Sequence, residues 1–304
     1  MLSRASVGGF FSGGQAMAVT TISDLASVPR RPFFRRNNAI PGFALTMGAT
    51  LTILSLIVLI PLTAVAIKAA GATPAEFFAK AFSERAIAAY KLSFGAALIA
   101  ALINGVFGLL AAWALVRYKF PGKAIINGLI DLPFALPTAV AGIALTALYA
   151  PNGWMGSWLE PLGLKFAYDP KGVVIALTFI GLPFVVRPLE PVIRDLAADT
   201  EEAAASLGAG RLSTLSRVVF PALMPAWLTG FTMAFARGVG EYGSVIFIAG
   251  NLQYKSEIAP LLIVQQLEQF DYHAAAAIAL VLLLFSFAIL MTINGIQAWA
   301  RRFA

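Results

Sequence analysis

The sequence predicts an all-α, polytopic membrane protein with six transmembrane helices, and three observations carry that reading. Of 304 residues, 59% are hydrophobic and only 12% charged, whereas an average soluble domain holds about 45–50% apolar and about 25% charged residues. The mean hydropathy is +0.81. Six apolar stretches are long enough to cross a hydrocarbon core roughly 30 Å thick, which takes about 20 helical residues. So little charge cannot coat a soluble globule of this length. The apolar content excludes disorder, and no heptad or Gly-X-Y period supports a coiled coil or collagen.

Residues 1–42 read as a polar tail with Gly8, Gly9, Gly13 and Gly14, then the basic run Arg30, Arg31, Arg35 and Arg36. The apolar stretch at residues 9–19 is too interrupted by Gly, Ser and Gln for a signal-peptide core. The tail is therefore expected in the cytoplasm, with the first span as an uncleaved anchor. Residues 43–90 make that first span and an outer loop, and residues 91–300 the core. Spans are expected at 43–67, 92–116, 125–150, 173–196, 221–250 and 274–300. Pro133 and Pro137 interrupt the third, and Pro183, Pro188 and Pro191 the fourth. Neighbouring helices must satisfy the carbonyls these prolines free, so both helices are expected to be bent and packed inward.

With the N-terminus inside, the cytoplasmic segments hold twice as many of the 22 lysines and arginines as the outer loops. The positive-inside bias then puts both termini in the cytoplasm. It also accounts for most of the +7 net charge without nucleic acid or another anionic ligand. The chain has no cysteine and one histidine, His273. That removes disulfides, thiolate ligands and Cys nucleophiles, and leaves no histidine cluster to hold a metal. His273, with Asp271 and Tyr272, falls near the outer end of the last span and is read as interfacial. Trp154 and Trp158 fit an outer aromatic belt.

The connection at residues 194–225 is the most informative stretch. Asp199 or Thr200 can cap a helix start, and Glu201 and Glu202 then sit in the first turn, where carboxylates favour the helix dipole. Gly208 and Gly210 end that helix, a second short helix follows, and Pro221 opens the next span. Glu202-Ala203-Ala204, three residues, Gly208, nine residues, then Val218-Val219-Phe220-Pro221 resembles the EAA loop of ABC-importer permeases of the type I, MetI-like fold. Val218 stands where that pattern has Ile, and Phe220 where it has Leu. The resemblance implies a coupling helix docking on a separate ATPase subunit, so ATP and magnesium belong to that partner and no cofactor to this chain.

Residues 235–251 and 257–279 look like the T-type sulfate/thiosulfate (CysT) permease family, and residues 131–145 are similar in sulfate and molybdate permeases. This resemblance covers roughly residues 43–300 and implies an inner-membrane importer subunit. Its implied partners are a homologous W-type permease, an ATPase dimer and a periplasmic sulfate- or thiosulfate-binding protein.

Gly238, Gly240 and Gly243 spell G-x-G-x-x-G, but inside an apolar span instead of a strand–turn–helix, so close helix packing explains them better than a dinucleotide. No P-loop pattern occurs. Arg237 and Glu241, four apart in the fifth span, share a helix face. Two readings stay open: they line the pathway, with Thr138 and Ser244 as neighbouring donors, or they are a structural ion pair. Asp131 has three open uses: snorkelling, capping, or pairing with Arg187 or Arg194. An oxyanion importer is the leading function, with molybdate or tungstate as the alternative cargo. A secondary transporter driven by an ion gradient is the alternative class; the EAA loop and the few intramembrane carboxylates speak against it. A membrane enzyme lacks a nucleophile–base set.

Overall fold

A computed structural model describes residues 43–196 and 198–300. Every regular element among them is helical: α1 (Phe43–Ala70), α2 (Pro74–Ala81), α3 (Glu84–Arg117), α4 (Lys123–Ala135), α5 (Thr138–Tyr149), α6 (Gly156–Leu159), α7 (Pro170–Asp195), α8 (Ala198–Ser206), α9 (Arg211–Thr214), α10 (Phe220–Val239), α11 (Val245–Ile248), α12 (Ala259–Glu268) and α13 (Tyr272–Ala300). The tail at residues 1–42 and Arg301 and Arg302 lie outside the described residues. The chain divides into two compact units, Met1–Ile57 and Val58–Ala304. In the first, the described part of α1 is apolar on every side and exposes Leu45, Ile53, Leu54 and Ile57.

The second unit is built around α3, α7 and α10. The buried face of α3 is a ladder of small residues, Ala89, Ser93, Ala97, Ala100, Asn104 and Gly108, recurring every three or four positions. Such spacing keeps one helix face small and lets backbones approach. At Gly108 and Gly230 an added Cβ would press on Val185 of α7 at 2.8 and 2.9 Å, so α7 is held closely on both sides. The buried Val185, Val186, Leu189 and Ile193 fill the space that the small residues leave.

Among the described residues, five helices are long and apolar enough to cross a membrane, and the α4–α5 pair makes a sixth crossing only if counted together. That pair is bent by 118° at its break, far more than the kink expected of the third span. Pro133 lies inside α4, and Pro137 lacks the N–H that would continue the helix, so the chain turns there. By contrast α7 runs unbroken through Pro183, Pro188 and Pro191 and is the most buried of the spans.

The fifth span differs at both ends. Its helix does not open at Pro221: it runs from Arg211 to Val239, with a π turn at Leu215–Val219 before the proline. Pro221 cannot make the usual backbone bond to the preceding turn, and the wider π turn accommodates that loss. Nor does it reach residue 250. The helix stops at Val239, and residues 240–258 return as loops around the short α11. Glu241 therefore lies just past the helix end, its N–H bonded to Gly238 O at 3.2 Å, and not on a continuing helix face.

The loop expected after the first span contains α2. Thr73 caps it, Pro74 occupies its first position, and Glu76 completes a capping box, its carboxylate accepting the Thr73 N–H at 3.1 Å. A clasp then fixes the start of α3. Arg85 donates to both carboxylate oxygens of Glu257, each at 2.7 Å, and to the Gln265 side chain of α12. The Glu257 side chain is 1% exposed. Removing one partner of a buried pair costs about 3–5 kcal/mol, whereas replacing both with apolar groups is often neutral. Glu257→Ala should therefore lower the thermal unfolding midpoint of the purified protein strongly. Arg85→Met combined with Glu257→Leu should recover most of it.

Candidate functional site

Two places stand out, one inside the bundle and one at the helical hairpin of residues 198–219. The inner place forms where the interrupted helices meet. Gly238, the residue before the end of α10, packs on Ala97 of α3, where an added Cβ would lie 3.2 Å from the alanine Cβ. Ala97 is about 20 Å along α3 from Glu84 at 1.5 Å per residue, so α10 stops deep within the bundle. The bend between α4 and α5 arrives at the same place. An added Cβ on Gly243 would fall on the Thr138 hydroxyl, and one on Gly142 would fall on the Ser244 backbone. Only glycines let α5 lie directly on residues 243 and 244. The structure thus brings together Thr138, Arg237, Glu241 and Ser244.

Their environments are unequal. Glu241 is 2% exposed and saturated: it pairs with Arg237, while Oε1 accepts the Ser244 N–H at 2.9 Å and the Ser244 hydroxyl at 3.0 Å. Ser244 is fully buried and commits both donors to that carboxylate. Arg237 is 34% exposed and has this one partner among the described residues. A guanidinium carries five N–H donors, so most of its capacity remains open. Thr138 starts α5, whose first N–H groups have no side-chain cap. The arrangement is a half-open cation whose counter-charge is sealed, and through Glu241 and Ser244 it is linked to the uncapped start of α5.

Arg187 fixes the other side of the bend. Its Nε donates to Asp131 at 2.8 Å, and its Nη1 to Asn127 at 2.9 Å and Glu190 at 2.6 Å. Asp131 thus pairs with Arg187, while Arg194 is exposed. Sequence reasoning missed the Arg85–Glu257 clasp because 172 residues separate its partners. The capping box at Thr73–Glu76 was legible as a local pattern.

At the hairpin, α8 begins at Ala198, so Asp199 and Thr200 lie in its first turn and not before it; the Asp199 side chain lies outside the described residues. Glu202 and Ala203 are exposed and Ala204 half-buried. The helix closes in a Schellman turn: the Gly208 N–H bonds Ala205 O and the Ala209 N–H bonds Ala204 O, both at 3.0 Å. Gly208 has φ +82°, open to glycine and costly for a β-branched residue. Leu207 and Leu212, 88% and 78% exposed, project from the turn. Val218 is half-buried, Val219 buried and Pro221 exposed. Arg117 of α3 anchors α8, donating to Glu201 at 2.5 Å and to Leu196 O at 3.3 Å while lying 5.1 Å from the Trp113 ring centroid. A hollow of about 390 Å³ opens beside this anchor, lined by Trp113, Ala205, Ala209 and Leu215.

Residues 104–302 match the family model of binding-protein-dependent transport system inner membrane components. The chain is 48% identical to a probable sulfate transport system permease protein cysT of Nephroselmis olivacea, over 90% of this chain and 95% of that protein. It is 44% identical to the sulfate transport system permease protein CysT of Escherichia coli, over 85% of this chain and 94% of that one. In structure it resembles a bacterial ABC transporter that imports the acidic polysaccharide alginate, with TM-score 0.69 and 15% identity over 84% of this chain and 96% of that one. That likeness supports the fold alone.

The fold and the family match define a multi-pass permease of the inner membrane, a transport component of the binding-protein-dependent class. Within that class, the chain belongs to the CysT family of permeases.

Glu241 makes a sharp test of the inner place. Arg237→Met leaves a sealed carboxylate without its cation, at a cost of about 3–5 kcal/mol. The yield of folded protein and its thermal midpoint should fall. Arg237→Met with Glu241→Gln should restore much of both, because the glutamine oxygen can still accept from Ser244.

Proposed function

We propose that this chain is a membrane-spanning subunit of an ATP-driven importer for sulfate or thiosulfate. Near-full-length identity of 44–48% to sulfate transport system permeases supports the cargo. The observation that carries the mechanism is the exposed hairpin, where the helix holding Glu202, Ala203 and Ala204 closes at Gly208, and Leu207 and Leu212 project on either side of the turn. That surface suits docking into an ATPase subunit, which would bind ATP and magnesium. A homologous W-type permease completes the transmembrane pair, and the apolar, exposed α1 offers surface for lipid or a partner helix. A periplasmic binding protein delivers the anion. Both termini lie in the cytoplasm, with residues 1–42 as a tail and 91–300 as the permease core.

In this reading the ATPase dimer closes on ATP, the hairpins move with it, and the permease pair alternates between outward and inward openings. Arg237 meets the passing dianion, with Thr138 beside it. Glu241 and Ser244 hold the guanidinium in place. One cation binds a dianion weakly, which suits a pathway that must release its cargo. High affinity belongs to the binding protein.

The test is uptake and ATP hydrolysis by the complete complex in proteoliposomes, with binding protein loaded by sulfate, thiosulfate or molybdate. Sulfate or thiosulfate should stimulate hydrolysis, and uptake should survive collapse of the proton gradient. Stimulation by molybdate alone would move the assignment to that oxyanion. Uptake that follows the proton gradient at constant ATP would overturn the mechanism.

Two variant sets test the sites in the same assay. Gly208→Val should lose most of the co-purifying ATPase while inserting normally, and Gly208→Asn, which tolerates positive φ, should retain it. Arg237→Met with Glu241→Gln should fold but transport at least about tenfold more slowly per complex, as expected for losing about 1.4 kcal/mol of anion stabilisation. Near-normal uptake would make Arg237 a packing residue.

A further inference from the structure

A third feature lies at the opposite end of the spans from the hairpin. Between the last turns of α1, α12 and the first turns of α13 runs a crevice of about 380 Å³. Its walls are Ala64, Val65, Ile263, Leu267, Ala276 and Ala279, and Lys68 and Tyr272 stand at its mouth. Both α1 and α13 are long and apolar enough to cross a membrane. From Tyr272 to Ala279 the crevice descends about 10 Å along α13 at 1.5 Å per residue. It therefore starts where the spans end and runs into their apolar part. The alanines make it: larger side chains at 64, 276 and 279 would close it.

The charge at the mouth is unbalanced. The Lys68 ammonium lies 5.8 Å from the Tyr272 ring centroid and has no carboxylate in ion-pair reach among the described residues. The neighbouring acids are engaged elsewhere. Asp271 pairs with Lys80 and accepts the Ala274 N–H at 3.0 Å, and these bonds hold its carboxyl below the usual range. Glu76 closes the capping box of α2. His273 sits against the Lys68 carbonyl at 3.2 Å and does not offset its charge. An apolar slot in a membrane span, with a free cation and a tyrosine at its interfacial end, matches an amphiphile with an anionic head and a hydrocarbon tail.

We infer that this crevice is a binding site for an anionic phospholipid of the surrounding leaflet, its phosphate on Lys68 and one acyl chain along Ala64, Ala276 and Ala279. The occupant bridges α1 to the α12–α13 corner, where side-chain packing leaves space. The inference needs only the membrane-spanning character of α1 and α13, not the identity of the transported anion.

The experiment is native mass spectrometry of the complete complex released from nanodiscs of phosphatidylethanolamine and phosphatidylglycerol in equal amounts. Wild type should retain phosphatidylglycerol in preference to phosphatidylethanolamine. Lys68→Gln should reduce that preference about fivefold, the effect of one lysine near an anionic surface at about 1 kcal/mol, and Lys68→Arg should keep it. Ala279→Phe should remove both lipids while the complex stays assembled. Equal retention of the two lipids by wild type, no retention at all because another subunit covers the crevice, or an unchanged preference in Lys68→Gln would each overturn the site. Since the readout is lipid retention and not uptake, failure here leaves the transport reading standing, and failure of that reading leaves this one intact.

Discussion

The structure depends on one constraint: in hydrocarbon there is no water to satisfy a free backbone N–H or C=O. A crossing segment must be helical, and a break is tolerated only where protein or a wet cavity surrounds it. Two breaks among the described spans, between Ala135 and Thr138 and after Val239, obey that rule by meeting each other inside the bundle. Residues 243 and 244 lie directly against the first turns of α5. The price of that close approach is glycine at 142 and 243, where any side chain would collide with backbone or with Thr138.

The same constraint explains how charge is used. Arg85 joins Glu257, Arg187 joins Asp131 and Glu190, and Arg237 joins Glu241. Arg85–Glu257 and Arg187–Asp131 unite segments far apart in the chain, whereas Arg237–Glu241 is a local pair that ties the last turn of α10 to the loop after it. Arg237 differs from Arg85 and Arg187 in having, among the described residues, a single partner and open donors.

The hairpin and the inner place are physically continuous. One helix runs from Arg211 through the π turn to Val239, 29 residues or about 43 Å at 1.5 Å per residue. The hairpin is anchored at its other side by Arg117 to α3, whose small-residue face packs on the same α7 that α10 touches. A displacement of α8 thus has two routes into the bundle, along α10 and through α3. A π turn before Pro221 is a compliant point on the first of them, because its hydrogen bonds are wider than those of an α-helix.

Composition and the length of apolar runs determined the class of this protein, since 12% charge cannot solvate a globule of 304 residues. Local pattern also determined the hairpin: Glu202-Ala203-Ala204 and Gly208 carry the helix and its Schellman turn in adjacent residues. The meeting of Thr138 with Gly243, the pairing of Arg85 with Glu257, and the choice of Arg187 over Arg194 for Asp131 needed the tertiary structure. Those partners lie far apart in the chain, and nothing in hydropathy or spacing records distance through space. Pro133 and Pro137 marked the break in the third span but not its 118° angle, and the break in the fifth was concealed for a related reason. Apolar composition reports that a segment sits away from water, but a loop folded against α5 and a helix facing lipid satisfy that requirement equally, and only the packing around residues 240–244 tells them apart.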